Sequence, residues 1–332
     1  MKRGRCAPQF LVGLIFGIFT LFGSSHASIT FERAYGGPDY DEGLCVQQTS
    51  DRGYVVAGWG GFSLMKTDSL GDSLWSTHFA VPGSSYFRME SVQQTSDGGY
   101  VIAGGFALAG SWDDACLVKT DSLGNMLWSR TYGGTHGDRA FCVDRTLDGG
   151  YVLVGVTNSL GDSIGYIYLV KTDSLGDTLW TRAYGDTLED IGRSVQQTFD
   201  GGYIITGEAN YSYFDGDVSL IKVDSLGDSL WSRTYGDVEW ESGSSVQQTT
   251  DGGYIIVGTA NYRPVAPFSG DVYLIKTDAS GDSLWSKLYY RGGHIDEGAS
   301  VRQTFDGGYI ITGTTQSVGA GKRDVFLIKT DS

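Results

Sequence analysis

The sequence is poor in the residues on which most metal and nucleophilic sites depend. It has four cysteines and four histidines among 332 residues. No CxxC pair or Cys/His cluster has zinc-site spacing, and no D-x-D-x-D-G loop indicates calcium. No GxSxG turn leads into a helix, as the nucleophile elbow of a hydrolase requires. We therefore predict no metal, no cofactor and no catalytic residue.

Positive charge is also scarce. Lys and Arg number 24 against 39 Asp and Glu, for a net charge of −15. Nucleic acids and anionic membranes need a basic footprint on the protein that binds them. Such an acidic chain argues against both as partners.

Long hydrophobic runs are limited to the N-terminus, where residues 10–22 form an apolar run of 13 residues. Basic residues precede this run, and Ser-His-Ala at 25–27 offers the small residues of a signal-peptidase site. A membrane-spanning helix needs roughly 20 apolar residues. We predict a cleaved signal peptide over residues 1–27. The mature chain, 28–332, is then extracellular or periplasmic, without membrane insertion.

Three cysteines remain after this cleavage: Cys45, Cys116 and Cys142. An odd number in an oxidising compartment leaves at least one thiol unpaired. Cys45 and Cys142 replace a serine of the repeat described next, and Cys116 replaces an aromatic residue. Such positions suggest small buried side chains rather than a disulfide framework.

What the sequence has in abundance is repetition, with six near-copies of a unit of about 50 residues. The fifth copy reads SVQQT at 245–249, DGGYIIVG at 251–258, DVYLIKTD at 271–278 and GDSLW at 281–285. Helical periodicity is absent, and runs of Val, Ile, Tyr and Thr alternate with Gly, Asp and Ser, which is typical of strands and turns. The pattern of each unit therefore predicts four strands, which together would form one blade of a β-propeller. A β-solenoid or open array is the competing architecture.

Strand counting decides between these architectures. The Lys-Thr-Asp strand occurs six times, but the tryptophan strand that follows it occurs only five times. The sixth copy of the tryptophan strand is at the other end of the chain, at 29–37, with Phe31 in place of Trp. An N-terminal strand that completes the last blade closes a ring and removes exposed sheet edges. We predict a six-bladed β-propeller in one domain.

The repeats, such as DGGYIIVGTANYRPVAPFSGDVYLIKTDASGDSLW at 251–285, resemble those of secreted bacterial β-propeller proteins. The third-to-fourth strand segment is also similar to the tryptophan-bearing repeat of quinoprotein-type propellers. The resemblance covers essentially all of 28–332 and implies an extracellular or periplasmic propeller. The catalytic residues of the quinone enzymes have no counterpart that we identify, so their activity is not carried over.

Ligand binding is expected on one face of the ring. The links between blades and the loops between second and third strands share what we call the upper face, and these segments vary between copies, whereas the turns of the lower face barely vary. Variable loops on a rigid scaffold commonly bind ligands. Aromatic residues beside polar ones suit sugars or protein partners, although they could instead pack together to fix the loops. The candidate ligand-binding residues are Tyr40, Trp112, Tyr211, Tyr213, Phe214, Trp240, Tyr262, Phe268 and His294.

An acidic residue also recurs on the upper face, four residues before the Ser/Cys position of each first strand. It could attract a cation at the channel mouth, or it could accept backbone N–H bonds where the link enters the strand. Recurrence in five blades favours the second, structural role. The five acids are Asp41, Asp138, Asp190, Glu241 and Asp296, and blade 2 has Phe87.

These observations favour a monomeric secreted binding module for a protein or carbohydrate partner. One alternative is a polysaccharide hydrolase or lyase that uses carboxylates of the central pocket. It requires two acids from different blades within about 5 to 10 Å of each other. Another alternative is a structural component of the cell envelope, which predicts no such binding.

Overall fold

The structure is a computed structural model that describes residues 33–36, 41–79, 84–108, 113–161, 164–211, 216–237, 239–263, 269–289, 294–317 and 323–332, with backbone alone at 84–87, 108, 262 and 263. These residues form 23 strands and no helix. The described ranges accordingly contain no helix long and apolar enough to cross a bilayer.

The first three sheets each have four antiparallel strands paired in sequence order. Blade 1 consists of β1 (Glu42–Gln48), β2 (Tyr54–Trp59), β3 (Leu64–Thr67) and β4 (Ser73–Thr77). Blade 2 consists of β5 (Ser84–Gln94), β6 (Tyr100–Leu108), β7 (Asp113–Thr120) and β8 (Met126–Tyr132). Blade 3 consists of β9 (Asp138–Arg145), β10 (Tyr151–Thr157), β11 (Tyr166–Thr172) and β12 (Thr178–Tyr184).

The second half of the chain repeats this pattern. Blade 4 consists of β13 (Glu189–Gln197), β14 (Tyr203–Tyr211), β15 (Asp217–Val223) and β16 (Ser229–Tyr235). Blade 5 consists of β17 (Trp240–Gln248), β18 (Tyr254–Arg263), β19 (Ser269–Thr277) and β20 (Ser283–Tyr289). Blade 6 has three described strands, β21 (Asp296–Gln303), β22 (Tyr309–Thr315) and β23 (Asp324–Thr330). The predicted six-bladed β-propeller is confirmed.

The lower face is built from repeated bonds within each blade. In blade 4, the backbone N–H of Gly202 donates to Asp200, 3.0 Å away, and the ammonium of Lys222 donates to the same carboxylate at 3.1 Å. Lys222 also donates to the carbonyl of Val223. A buried ammonium needs such partners, so the repeated Lys and Asp belong to the scaffold, as the repetition indicates. The six pairs are Lys66–Asp51, Lys119–Asp97, Lys171–Asp148, Lys222–Asp200, Lys276–Asp251 and Lys329–Asp306.

Five apolar clusters hold neighbouring blades together, from the junction of blades 1 and 2 to that of blades 5 and 6. At the junction of blades 4 and 5, Val218 and Leu220 of β15 pack with Val246 of β17. The outer-strand Trp231 contacts Tyr254 of the next blade, with ring centroids 5.9 Å apart. The repeated tryptophans therefore pack between blades, as predicted.

The N-terminal segment occupies the position of a fourth strand relative to blade 1. The hydroxyl of Tyr35 donates to the carbonyl of Gly71, and Arg33 pairs with Asp72 at 3.4 Å. In blade 3, the fourth-strand residues Tyr184 and Arg182 make the same two contacts with the equivalent turn of blade 4. Residues 29–32, whose pairing with β23 would complete blade 6, lie outside the described residues.

The junction of blades 6 and 1 is more open than the other five. Leu327 of β23 is 72% exposed, although the equivalent Leu220 and Leu274 are fully buried. On the facing blade, Val46 is 51% exposed, and its equivalent Val246 is buried. Residues 33–36 thus contact the turn of blade 1, while the facing apolar surfaces of blades 6 and 1 stay partly uncovered. We call this junction the seam.

The cysteines occupy buried strand positions, as predicted. Cys45 and Cys116 carry free thiols and are nearly inaccessible to solvent. Burial raises the pKa of Cys116 to about 12, which keeps this thiol protonated and unreactive. Cys142 is fully buried but disulfide-bonded, so the expectation of a small buried side chain without a disulfide is wrong for this cysteine.

Candidate functional site

Two of the predicted aromatic residues pack against each other. Tyr211, at the end of β14, meets Trp240, at the start of β17, edge to face with centroids 6.2 Å apart. Trp240 is only 3% exposed. The next residue of β17, Glu241, donates its N–H to the carbonyl of Gly216 at 2.6 Å. This contact joins the blade 4 loop to the link that enters blade 5. For these two residues the loop-packing role is observed, and a role in ligand binding stays a prediction.

Two further predicted residues, His294 and Tyr262, lie within the described ranges. His294 is exposed in the link to blade 6, where its carbonyl accepts a bond from Gly270 at 3.2 Å. Tyr262 pairs with Trp240 through its backbone, and only its backbone is described. The remaining candidates lie outside the described residues: Tyr40, Trp112, Tyr213, Phe214 and Phe268.

The recurring upper acids are bound by the backbone, which supports their structural interpretation. Asp190 accepts from the N–H groups of Asn210 and Asp186, at 3.0 and 3.3 Å. Asp296 accepts from the N–H of Gln316 at 3.2 Å and from the hydroxyl of Ser317 at 2.7 Å. Each acid thus joins the loop of its own blade to the inter-blade link or strand. These carboxylates serve the scaffold, as their recurrence predicts.

One of these acids makes folding stability depend on pH. Burial raises the pKa of Glu241 to about 7, aided by the nearby Asp237 and Asp217, although two backbone N–H groups act in the opposite direction. In the unfolded chain its pKa is near 4.5. The folded state therefore holds a proton that the unfolded state has lost between these pH values, and stability falls as pH rises through this window.

We expect Glu241→Gln to remove this dependence, because the amide keeps an acceptor oxygen but cannot ionise. The variant should be more stable than the parent by about 2 kcal/mol at pH 8 and should approach the parent at pH 4.5. Urea denaturation at pH 4.5, 6 and 8 measures the difference. A difference that stays constant over this range would show that Glu241 does not titrate as described.

Several positions that differ between blades lie on the inner strands, just below the upper acids. Every first strand has a β-bulge. A bulge redirects a side chain, and bulges occur frequently beside functional sites. We define the inner belt by three positions in each blade. These are the bulge residue, the residue two positions before it, and the second-strand residue that pairs with this earlier residue. The bulge residues are Leu44, Glu90, Phe141, Arg193, Ser244 and Ala299. The residues two before them are Glu42, Arg88, Arg139, Ile191, Ser242 and Glu297, and their partners are Trp59, Gly105, Val156, Glu208, Thr259 and Thr314.

Between blades 1 and 2 the inner belt contains a buried ionic cluster. Glu42 accepts a bond from the indole N–H of Trp59 at 2.7 Å and lies 3.8 Å from Arg88. The Nε of Arg88 is 2.7 Å from Glu90, and its guanidinium lies 5.8 Å from the centroid of the Trp59 ring. Both carboxylates are thus compensated by one arginine, because buried charges require partners.

A second cluster runs through blades 2, 3 and 4. Arg193 pairs with Glu208 at 2.9 Å, and both side chains are almost completely buried. The Arg193 guanidinium lies 4.7 Å from the centroid of the Phe141 ring, and Arg139 lies 5.7 Å from the same centroid. Arg139 in turn lies 3.6 Å from Asp113 of blade 2. The clusters therefore place long, paired side chains in the inner belt of blades 1 to 4, beside apolar residues such as Leu44 and Ile191.

Blades 5 and 6 present a different surface. Their belt positions carry small side chains, apart from Glu297, which pairs with Arg323 at 3.2 Å. The ring is therefore asymmetric inside: bulky and ionic on one side, small and rich in hydroxyl groups on the other. The small residues are Ser242, Ser244, Thr259, Ala299 and Thr314.

The candidates predicted from the sequence are assigned to loops, and none of the inner-belt residues is among them. The signal of the inner belt is present in the repeat alignment, because these positions change from copy to copy between invariant neighbours. Strand positions were assumed to serve packing. Within the described ranges, no three or more His, Cys, Asp or Glu residues are arranged to hold a metal ion.

Comparison with known proteins supports the fold alone. No family model matches the chain, and no curated protein does. Among solved structures, the WD40 domain of Neurospora crassa Pan2 is similar with a TM-score of 0.57 at 8% identity, over 85% of this chain and 78% of that one. A glucose dehydrogenase gives a TM-score of 0.50 at 8% identity, over 89% and 100%. A structure described as YCF48 bound to D1 peptide gives 0.48 at 14% identity, over 83% and 76%. The similarity to the first two structures supports the β-propeller fold and nothing about function.

Proposed function

We propose that the protein is a secreted binding module that holds a carbohydrate or protein partner on its upper face. The observation that supports this proposal is the distribution of non-repeating residues. They collect in the upper loops and in the inner belt beneath them, whereas the repeated Lys–Asp pairs and turns account for the lower face. A scaffold of six equal blades does not require differences concentrated at one end of the ring. This concentration therefore supports a binding role for that end.

The chemistry of this end suits a polar partner with apolar surface. Hydroxyl groups at Ser244 and Thr314 lie on the small-residue side of the inner belt, in blades 5 and 6, and the buried ionic clusters lie in blades 1 to 4. Aromatic residues of the loops would add rigid apolar contact area. The predicted signal peptide supports a location outside the cytoplasm.

The alternative of a polysaccharide hydrolase or lyase has less support. Acid/base catalysis on a glycosidic bond needs two carboxylates that face the substrate. The upper acids Asp138, Asp190 and Asp296 are occupied by N–H and hydroxyl donors, and the described carboxylates at belt positions each face an arginine. We therefore favour binding over catalysis.

A glycan array and a pull-down from surface extract, both with residues 28–332, test the proposal. We expect retention of a defined glycan or protein in one of the two assays. A chain that binds nothing in either assay would support the envelope-component alternative instead.

The loop aromatic residues offer a more specific test. Replacing Tyr211, Tyr213 and Phe214 with Ala should weaken partner binding at least tenfold, because aromatic anchors dominate such interfaces. The loss of the Tyr211–Trp240 contact should lower stability by only about 1 kcal/mol. The matched control is Leu147→Ser on the lower face, where the side chain is exposed. A triple variant that binds normally but unfolds readily would assign these residues to loop packing.

A further inference from the structure

Carboxylates of neighbouring blades meet in pairs on the upper face. One member is a recurring upper acid, and the other lies near the start of the third strand of the preceding blade. At the junction of blades 4 and 5 the pair is Glu241 with Asp217. A Cβ added to Gly236 would collide with Oδ1 of Asp217 and with Oε2 of Glu241, so both carboxylates lie against the same glycine. Blade 3 has Tyr166 at the third-strand position, and the junction of blades 3 and 4 therefore lacks the pair.

Two other junctions have the same arrangement of acids. Between blades 2 and 3, burial raises the pKa of Asp114, and the charge of Asp138 raises it further. Between blades 5 and 6, burial raises the pKa of Asp271, and the charge of Asp296 acts in the same direction, although a hydrogen bond from Asn261 opposes them. Like charges held this close disfavour their own ionised forms and weaken the folded state.

The described arginines of the inner belt pair with other acids. Arg193 binds Glu208 at 2.9 Å, and Arg139 lies 3.6 Å from Asp113. The paired acids thus keep negative charge that no described cation compensates. The pair residues without an ion pair to a described lysine or arginine are Asp114, Asp138, Glu241, Asp271 and Asp296.

One pair also contains a buried oxygen that has no donor. Oδ1 of Asp138 accepts no hydrogen bond from the described residues. In blades 4 and 6 the equivalent oxygen accepts the loop N–H of Asn210 or Gln316. In blade 3 the corresponding N–H, of Asn158, donates to the carbonyl of Gly137 instead. A buried carboxylate oxygen without a donor costs free energy, which an N–H donor from a ligand would recover.

We propose that these three junctions bind a basic polypeptide, with a lysine or arginine side chain of the partner at each pair of acids. The inference rests on the binding function proposed above and specifies the charge of the partner. Ammonium and guanidinium groups carry several N–H donors and can contact two carboxylates at once. A polypeptide presents several such groups, and linked contacts at separate junctions strengthen one another. A metal ion fits less well, since the described ranges hold no three His, Cys, Asp or Glu residues arranged to ligate one.

Fluorescence anisotropy of labelled octalysine, titrated with the mature chain 28–332 at low ionic strength, tests this proposal. Octalysine with acetylated side chains has the same backbone without the charges. We expect octalysine to bind at least tenfold more tightly than the acetylated peptide. Equal affinity for the two peptides, or no binding of octalysine, would overturn the proposal.

Two triple variants with the same change in net charge locate the site. Asp114→Asn, Asp217→Asn and Asp271→Asn together remove one charge from each pair at nearly constant shape, and we expect at least a tenfold loss of octalysine affinity. The removal of like charges should leave the fold intact, which a melting curve verifies. The control replaces three exposed carboxylates of the lower face with Asn and should keep affinity within twofold. An equal loss in both variants would show attraction to the whole acidic protein and refute the junction sites. The three control positions are Asp177, Asp228 and Asp282.

The outcome for the basic partner is separable from that for the binding function itself. A chain that retains a neutral glycan or an acidic protein in the array or the pull-down, yet does not bind octalysine, would refute the basic polypeptide and leave the proposed binding module standing.

Discussion

Deletion of residues 29–37 is expected to lower the free energy of unfolding by more than about 4 kcal/mol, an exceptional loss for a surface segment. The segment supplies the contacts of Arg33 and Tyr35 with the turn of blade 1. If residues 29–32 pair with β23 as the repeat predicts, the deletion also exposes that strand as a sheet edge. Blade 6 would then be the less stable terminal blade of a linear array. Urea denaturation of the 28–332 chain with and without the segment measures the loss.

Single substitutions serve as matched controls for this deletion. Tyr35→Phe and Tyr184→Phe each remove one hydroxyl that donates to the equivalent glycine carbonyl of the next blade. Each should cost about 1 kcal/mol. A deletion variant with parental stability would refute the role of the N-terminal strand in holding the ring, whatever the result of the two controls.

Substitution of Arg193 with Leu is expected to cost about 3 to 5 kcal/mol, because it leaves the carboxylate of Glu208 buried without its partner. The pair is 2.9 Å apart, and the exposed fractions of the two side chains are 7% and 2%. The arginine also lies over the ring of Phe141, so its removal opens space between blades 3 and 4. Guanidinium chloride denaturation of the variant gives the change in unfolding free energy.

The double variant Arg193→Leu/Glu208→Leu separates charge from packing. Removing both charges should recover most of the lost stability, since a buried ion pair is often replaced by apolar residues at little cost. A double variant as unstable as the single one would show that packing against Phe141, rather than the buried carboxylate, causes the loss. With the single variant Glu208→Leu also measured, the double-mutant cycle gives the coupling energy of the ion pair.

The number of blades could be predicted from the sequence because strand and turn signals are local. The Asp-Gly-Gly turn forms with Gly201 at a φ of +82°, a conformation that glycine adopts readily. Trp231 and Lys222 occur at fixed spacing in their unit, and both turned out to serve the scaffold. The structural interpretation of the upper acids was also correct, because an acid that recurs at a strand entry meets the same N–H groups in each blade.

The candidate site could be predicted only in part. Trp240 appeared as a loop aromatic and proved to be a buried strand residue that packs with Tyr211. Arg193 and Glu208 were overlooked because a sequence does not show that two charged strand residues, 15 positions apart, point at each other. Their pairing depends on the register of β13 with β14 and on the bulge that aims Arg193 toward Phe141 of the neighbouring blade.

By itself, the sequence determined the repeat, the four strands of each unit and the ring of six, because these depend on short-range signals that are copied along the chain. The tertiary structure alone decided which non-repeating residues meet. Contacts such as Arg193 with Phe141, or Leu44 and Leu327 on opposite walls of the seam, join blades through space, where sequence separation carries no information. The asymmetry inside the ring therefore follows from packing between blades, and the proposed functions depend on that asymmetry.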